Sequence, residues 1–129
     1  MIYGIGTDIV SIKRIEESLR KFGDRFVQRI LNVAEVAEYA QYTGSGQPER
    51  FLAKRFAVKE AFSKAFGTGI GAEVSLHDVA VSHDAMGKPM IEASPELAKR
   101  LAASGVSAMH VSISDEAEFA IAYVVLEKT

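Results

Sequence analysis

An α+β fold, an antiparallel sheet with helices packed on it in a single domain over residues 1–129, follows from three features of the sequence. Helical periodicity is concentrated between residues 12 and 66. Strand-like segments lie at both ends of the chain. The last two of these are joined by Asp115-Glu116-Ala117 alone, a link that predicts an antiparallel hairpin. No internal repeat, low-complexity tract or domain linker interrupts the pattern.

Residues 2–10 are β-branched and glycine-rich and predict a short strand ending near Asp8. Ile12, Ile15, Leu19, Phe22, Phe26 and Ile30 recur at steps of three and four, which marks an amphipathic helix broken at Gly23. A second helix is expected over Val33–Tyr42, and Thr43–Pro48 is the clearest loop. A third helix runs from Glu49 to Phe66 and stops at Gly67. Val74–Val81 predicts a strand, His83–Pro89 a turn, and Met90–Ala93 a short strand. Ser94-Pro95-Glu96 places a capping serine before a proline at the first helical position, opening a helix to about Ser104. Strands at Ala108–Ser114 and Glu118–Glu127 complete the chain.

A composition of 48% hydrophobic and 25% charged residues is that of a folded globular chain rather than a disordered one. The absence of cysteine excludes disulfides and thiolate metal sites, so any metal rests on oxygen or histidine ligands, a set suited to Mg²⁺. No apolar run is long enough to span a bilayer, and the first residues lack the charged and apolar regions of a signal peptide, so a cytoplasmic location without membrane or nucleic-acid partners is expected. The net charge of −2 hides an asymmetry: residues 1–64 carry +3 and residues 65–129 carry −5. Such a basic half is either ordinary solvated charge or a surface for an acidic partner or phosphates.

The segment Phe51–Gly71 carries the most chemistry. On a helical wheel, Ala53, Phe56, Ala57, Ser63 and Lys64 stand near Glu60, while Val58, Phe62, Ala65 and Phe66 occupy the far side. Little of this helix is left for water, so Glu60 must be paired or bind a cation. Either it pairs with Lys64 one turn on, or it is a metal ligand. Asp8, at the end of a strand containing Gly4 and Gly6, either caps the following helix or supplies a second carboxylate. Arg50, Lys54, Arg55, Lys59 and Lys64 cluster on or near the same helix, a charge set that suits a polyanion around a metal. His110, Ser112 and Ser114 share one strand face, which either lines a phosphate site or is structural.

The motifs GIGTDIV (Gly4–Val10), FLAKRFAVKEAFSKAFGTGIG (Phe51–Gly71), GKP (Gly87–Pro89) and HVSIS (His110–Ser114), in this order and spacing, resemble those of the holo-[acyl-carrier-protein] synthases of the 4′-phosphopantetheinyl transferase superfamily. The resemblance extends over essentially the whole chain and implies the fold of that superfamily. It implies transfer of 4′-phosphopantetheine from coenzyme A to a serine of apo-acyl carrier protein, releasing 3′,5′-ADP, in fatty acid biosynthesis. It further implies Mg²⁺ on Asp8 and Glu60, and Lys64 at the phosphate under attack. Arg55 is expected near the 3′-phosphate, Gly87, Lys88 and Pro89 beside the adenine, and His110 at the cofactor phosphates. Arg50 is the substitute for phosphate contacts that the weakly basic Thr43–Pro48 loop lacks. Glu35 corresponds to a family glutamate and is the expected proton acceptor. Arg14 and Arg25, on the first helix, are the expected docking residues for the acidic carrier protein. A homotrimer with sites between subunits is also implied, so that His110 serves a neighbouring site. Two rival readings stand beside this one: a related transferase acting on polyketide or peptide synthase carrier domains, and a non-catalytic module that binds an acidic partner.

Overall fold

The computed structural model describes residues 1–42 and 47–129; of the loop expected at Thr43–Pro48, residues 43–46 lie outside these. Strand β1 (Ile2–Ser11) leads into helices α1 (Ile12–Phe22), α2 (Asp24–Ile30), α3 (Val33–Tyr42) and α4 (Pro48–Phe66). Strands β2 (Val79–His83) and β3 (Pro89–Ala93), helix α5 (Pro95–Ala103), and strands β4 (Val106–Asp115) and β5 (Phe119–Lys128) follow. The expected α+β class is observed.

The strands form two antiparallel sheets rather than one. β5 lies between β1 and β4, while β2 and β3 make a separate hairpin. The expected strand at Val74–Val81 is also corrected. Residues Leu76–Asp78 form a short 3₁₀ turn, and the strand begins at Val79. The Ser75 amide donates to Asp78 Oδ2 at 2.9 Å and the Asp78 amide donates to the Ser75 carbonyl, so local bonds close a turn inside the segment expected to be extended.

Helix α4 is the axis of the molecule. Twelve of its side chains are buried, including Leu52, Val58, Ala61 and Phe62, as its all-round apolar wheel requires. β1 and β5 cover one side; α1, α2, α3 and the start of β2 pack on the rest. The helix interruption expected at Gly23 is observed, and Ser11, not Asp8, caps α1, its hydroxyl accepting from the Arg14 amide. Asp8 is thereby left available for another role.

β1 lies unusually close to α4. A Cβ placed on Gly4 would sit 1.9 Å from the Ala65 carbonyl oxygen, and one on Gly6 would sit 2.0 Å from the Ala61 oxygen. Only glycine permits this approach. Two residues of strand and four of helix both advance about 6–7 Å, so the next contact after Gly4–Ala65 and Gly6–Ala61 falls at Asp8.

Candidate active site

Lys64 reaches the Asp8 carboxylate from α4, and Glu60 is near enough for the two carboxylates to repel. The Lys64 ammonium donates to Asp8 Oδ1 and to the Thr7 carbonyl, each at 3.0 Å. Lys64 therefore pairs with Asp8 across the strand–helix contact rather than with Glu60 along the helix. Partial burial pushes the Glu60 carboxyl above its ordinary range, and the negative charge of Asp8 pushes it further; Lys64 opposes both. Two carboxylates that repel each other beside one ammonium form a site that favours an added cation.

Among the described residues no group of three His, Asp or Glu side chains converges as a closed metal cage. Two carboxylates nevertheless fit Mg²⁺, which is ordinarily held by one or two carboxylates with waters and substrate phosphates completing the shell. The electrostatics give a test. An acid whose folded pKa lies above its unfolded one gives stability that is complete below the unfolded pKa and lost as pH rises through the folded pKa. Ionised Glu60 is thus a cost near neutrality without divalent ions. Glu60→Gln is expected to melt above the wild type at pH 7 in chelator, with the difference shrinking toward pH 4, and Mg²⁺ is expected to raise the melting temperature of the wild type only. Thermal melts across this range check both; a lower-melting Glu60→Gln at pH 7 in chelator contradicts the reading.

A cleft of about 550 Å³ opens farther toward the N-terminus of α4. α3 contributes Glu38, Gln41 and Tyr42, and α4 contributes Phe51, Lys54 and Arg55. The β2–β3 hairpin contributes His83, Gly87 and Pro89, and the end of β4 contributes Ile113 and Asp115. The Arg55 guanidinium stacks 4.3 Å from the centre of the Phe51 ring and bonds Glu38, an arrangement that holds a planar cation at the wall. The hairpin tip is a tight turn in which the Gly87 amide donates to the Asp84 carbonyl, with Gly87 at φ 86°, a conformation glycine adopts without strain. The Met86 and Lys88 amides both donate to Asp84 Oδ1, which fixes the same turn. The exposed Lys88 belongs to the turn, whereas Gly87 and Pro89 form the wall.

Other expected residues lie elsewhere. Arg50 donates to Asp115 Oδ2 at 2.8 Å and to the Glu116 carbonyl, so its guanidinium is engaged within the chain. Burial pushes the Asp115 carboxyl upward, but bonds from Arg50 and Lys54 outweigh this and hold it below the usual carboxylate range. His110 is on the outer sheet face, 2.5 Å from Glu127 Oε1, and the single chain does not bring it to the cleft. Arg14 and Arg25 are exposed on α1 and α2.

Glu35, the expected proton acceptor, lies in the interior and not in the wall of the cleft. Glu35 is 3% exposed. Its Oε1 accepts from Lys59 Nζ at 2.6 Å and from the Asn32 amide, and Oε2 accepts from the Val81 amide. Asn32 Oδ1 in turn accepts from the Glu35 amide, a reciprocal cap at the start of α3. The carboxylate is thus enclosed and ion-paired within the chain. The pattern Asn32-x-x-Glu35 carried this signal in the sequence. Lys59, wholly buried, was also missed as a structural residue, although its helical neighbours Phe62 and Ser63 and the flanking Leu52 and Phe66 foreshadow burial.

A sequence model of the 4′-phosphopantetheinyl transferase superfamily matches residues 4–124. The chain belongs to this superfamily. Among superfamily relatives, the holo-[acyl-carrier-protein] synthase of Nitrosospira multiformis is 52% identical over 128 residues, covering 99% of this chain and all of that protein. The crystal structure of the Neisseria meningitidis holo-[acyl-carrier-protein] synthase superposes with a TM-score of 0.94 at 51% identity, covering 99% of this chain and all of that one. That of the Bacillus anthracis synthase, in complex with CoA (3′,5′-ADP), gives 0.83 at 44% identity, covering all of this chain and 99% of that one. The superfamily fold expected from the sequence is thus the fold observed.

Proposed function

We propose that this chain transfers 4′-phosphopantetheine from coenzyme A to a serine of apo-acyl carrier protein, a step of fatty acid biosynthesis. The observation that carries the reading is the meeting of Asp8, Glu60 and Lys64 where the glycine strand touches α4. Arg55, in the wall of the cleft, stands on the same helix about 7.5 Å away along its axis. A phosphate-handling group and a nucleotide-sized cleft are thereby built on one rigid element.

In the reaction the serine Oγ attacks the β-phosphorus of coenzyme A. The new Oγ–P bond forms as the P–O bond to the α-phosphate breaks. The electron pair leaves with 3′,5′-ADP, and the serine proton passes to solvent. Asp8 and Glu60 are the residues that would hold Mg²⁺, which when bound supplies charge neutralisation at the diphosphate. Lys64 adds a positive charge beside the same phosphates, and its half-exposed side chain can turn to meet them. Arg55, Gly87 and Pro89 receive the nucleotide end, with Lys88 at the edge of the turn. Phosphoryl transfer depends mostly on such alignment and charge balance, so no buried base is required.

Arg14 and Arg25, with the neighbouring exposed Lys13, Lys21 and Arg29, offer an acidic carrier protein a basic approach surface. The outer face of β1 and β5 exposes Ile5, Ile9, Ile121 and Tyr123, an apolar patch of the kind that subunits cover. Its burial in a homotrimer would bring His110, on the same sheet face, toward a neighbour's phosphates. No helix among the described residues is long and apolar enough to cross a membrane, and a cytoplasmic location is part of this reading. Mass spectrometry of a purified apo-carrier incubated with the protein, Mg²⁺ and coenzyme A tests it. A mass gain of one phosphopantetheine with stoichiometric 3′,5′-ADP is expected; an unchanged carrier contradicts it.

A further inference from the structure

The most deeply buried charges in the molecule have no part in the chemistry described above. Lys59 is 0% exposed, and its ammonium donates to three acceptors: Glu35 Oε1 at 2.6 Å, the Leu76 carbonyl at 2.7 Å and the Val79 carbonyl at 2.6 Å. Glu35 also accepts from the Val81 amide, and its Oε2 lies 3.7 Å from Arg55 Nε. The bonds to Lys59 and Glu35 replace the water that burial removes, so each charge is sustained by its partners against desolvation. Buried ion pairs contribute little net stability compared with apolar residues of the same volume. Their geometric effect here is specific. Glu35 belongs to α3, Lys59 to α4, the Leu76 carbonyl to the 3₁₀ turn that leads into β2, and Val79 and Val81 to β2 at the base of the hairpin. α3, α4 and the hairpin are three of the segments that wall the cleft, and the two side chains join all three at one point.

Building on the coenzyme A reading, we infer that the Glu35–Lys59 pair is a strut that sets the spacing of the nucleotide cleft, and that both are positioning residues for coenzyme A. Neither side chain touches the cleft. Glu35 stands beneath Arg55 as a counter-charge at 3.7 Å, and Lys59 ties the backbone leading into the hairpin to α4, so Gly87 and Pro89 stand at a fixed distance from Arg55. Loss of the strut loosens the nucleotide end and leaves Asp8, Glu60 and Lys64 in place on the β1 side.

The test compares Glu35→Gln, Lys59→Met and the double variant Glu35→Gln/Lys59→Met with the wild type. Each single variant leaves one buried charge without its counterpart and is expected to melt well below the wild type; the neutral double variant melts above either single one. Its Leu76 and Val79 carbonyls still lack the ammonium, so the cleft stays loose. In the double variant the KM for coenzyme A is expected to rise about tenfold, with kcat at saturation within about threefold, and 3′,5′-ADP binding by calorimetry to weaken by about the same factor. A pair with only a structural role lowers the melting temperature and leaves these constants alone. A folded double variant with wild-type KM and wild-type 3′,5′-ADP affinity overturns the inference. So does a kcat loss of about 10²–10⁴-fold at unchanged KM in Glu35→Gln, which would restore a proton-acceptor role. A wild type that neither binds 3′,5′-ADP nor modifies the carrier overturns the parent reading as well, which separates the two failures.

Discussion

Asp8→Ala and Glu60→Ala are each expected to lower phosphopantetheine transfer by about 10³-fold or more while the protein keeps its fold. The two carboxylates are the acidic groups at the junction of β1 and α4, and their mutual repulsion gives them affinity for a cation. Removing one leaves a single carboxylate beside Lys64, too little to gather a divalent ion and a diphosphate together. Stability changes little. Asp8 has the half-exposed Lys64 as its ion partner, a contact worth at most about 1 kcal/mol. Glu60 is ionised at some cost, so its loss relieves a strain. Circular dichroism and thermal melts establish the fold, and steady-state transfer to a purified carrier gives the rate. Excess Mg²⁺ is not expected to restore full activity. Either alanine variant with near wild-type transfer removes the metal assignment.

Gly6→Ala is expected to be severely damaging although it adds a single methyl group. The new Cβ would lie 2.0 Å from the Ala61 carbonyl oxygen, 2.7 Å from the Ala65 amide nitrogen and 3.0 Å from Lys64 Cβ. Two of these atoms belong to helix backbone and cannot rotate away. β1 must lift from α4, and overpacking of this kind costs about 3 kcal/mol. A drop in melting temperature of about 10 °C is the corresponding readout. Transfer falls further than stability accounts for, because lifting the strand draws Asp8 away from Glu60. Urea denaturation gives the stability change, and assays of the folded fraction well below the melting temperature give the activity. A Gly6→Ala variant with unchanged stability and activity would show that strand and helix are not in this close contact.

Much of this arrangement is legible in the amino-acid order. The all-round apolar wheel of Phe51–Phe66 requires a central helix, and that is the position of α4. Gly4 and Gly6 before Asp8 signal a close approach without naming the partner. The partner is a long-range matter: nothing local states that Asp8 meets Glu60 rather than capping α1, and Ser11 takes the cap because its hydroxyl reaches the Arg14 amide. The 3₁₀ turn at Leu76–Asp78 escaped because Val74, Leu76, Val79 and Val81 read as strand residues, whereas the bonds between Ser75 and Asp78 decide the backbone. The setting of Glu35 is legible only in part: Asn32 three residues before signals the local cap, whereas the buried lysine on another helix is a long-range partner. The division of the strands into two sheets depends on the packing of the β2–β3 hairpin against α4 and could not be read from periodicity.

The most direct test is crystallographic: anomalous diffraction from crystals grown with Mn²⁺, a cation of the same oxygen-ligand preference as Mg²⁺, and coenzyme A. A metal peak is expected within bonding distance of the Asp8 and Glu60 carboxylates and beside the diphosphate. A fully bound coenzyme A whose metal lies away from both carboxylates would contradict it.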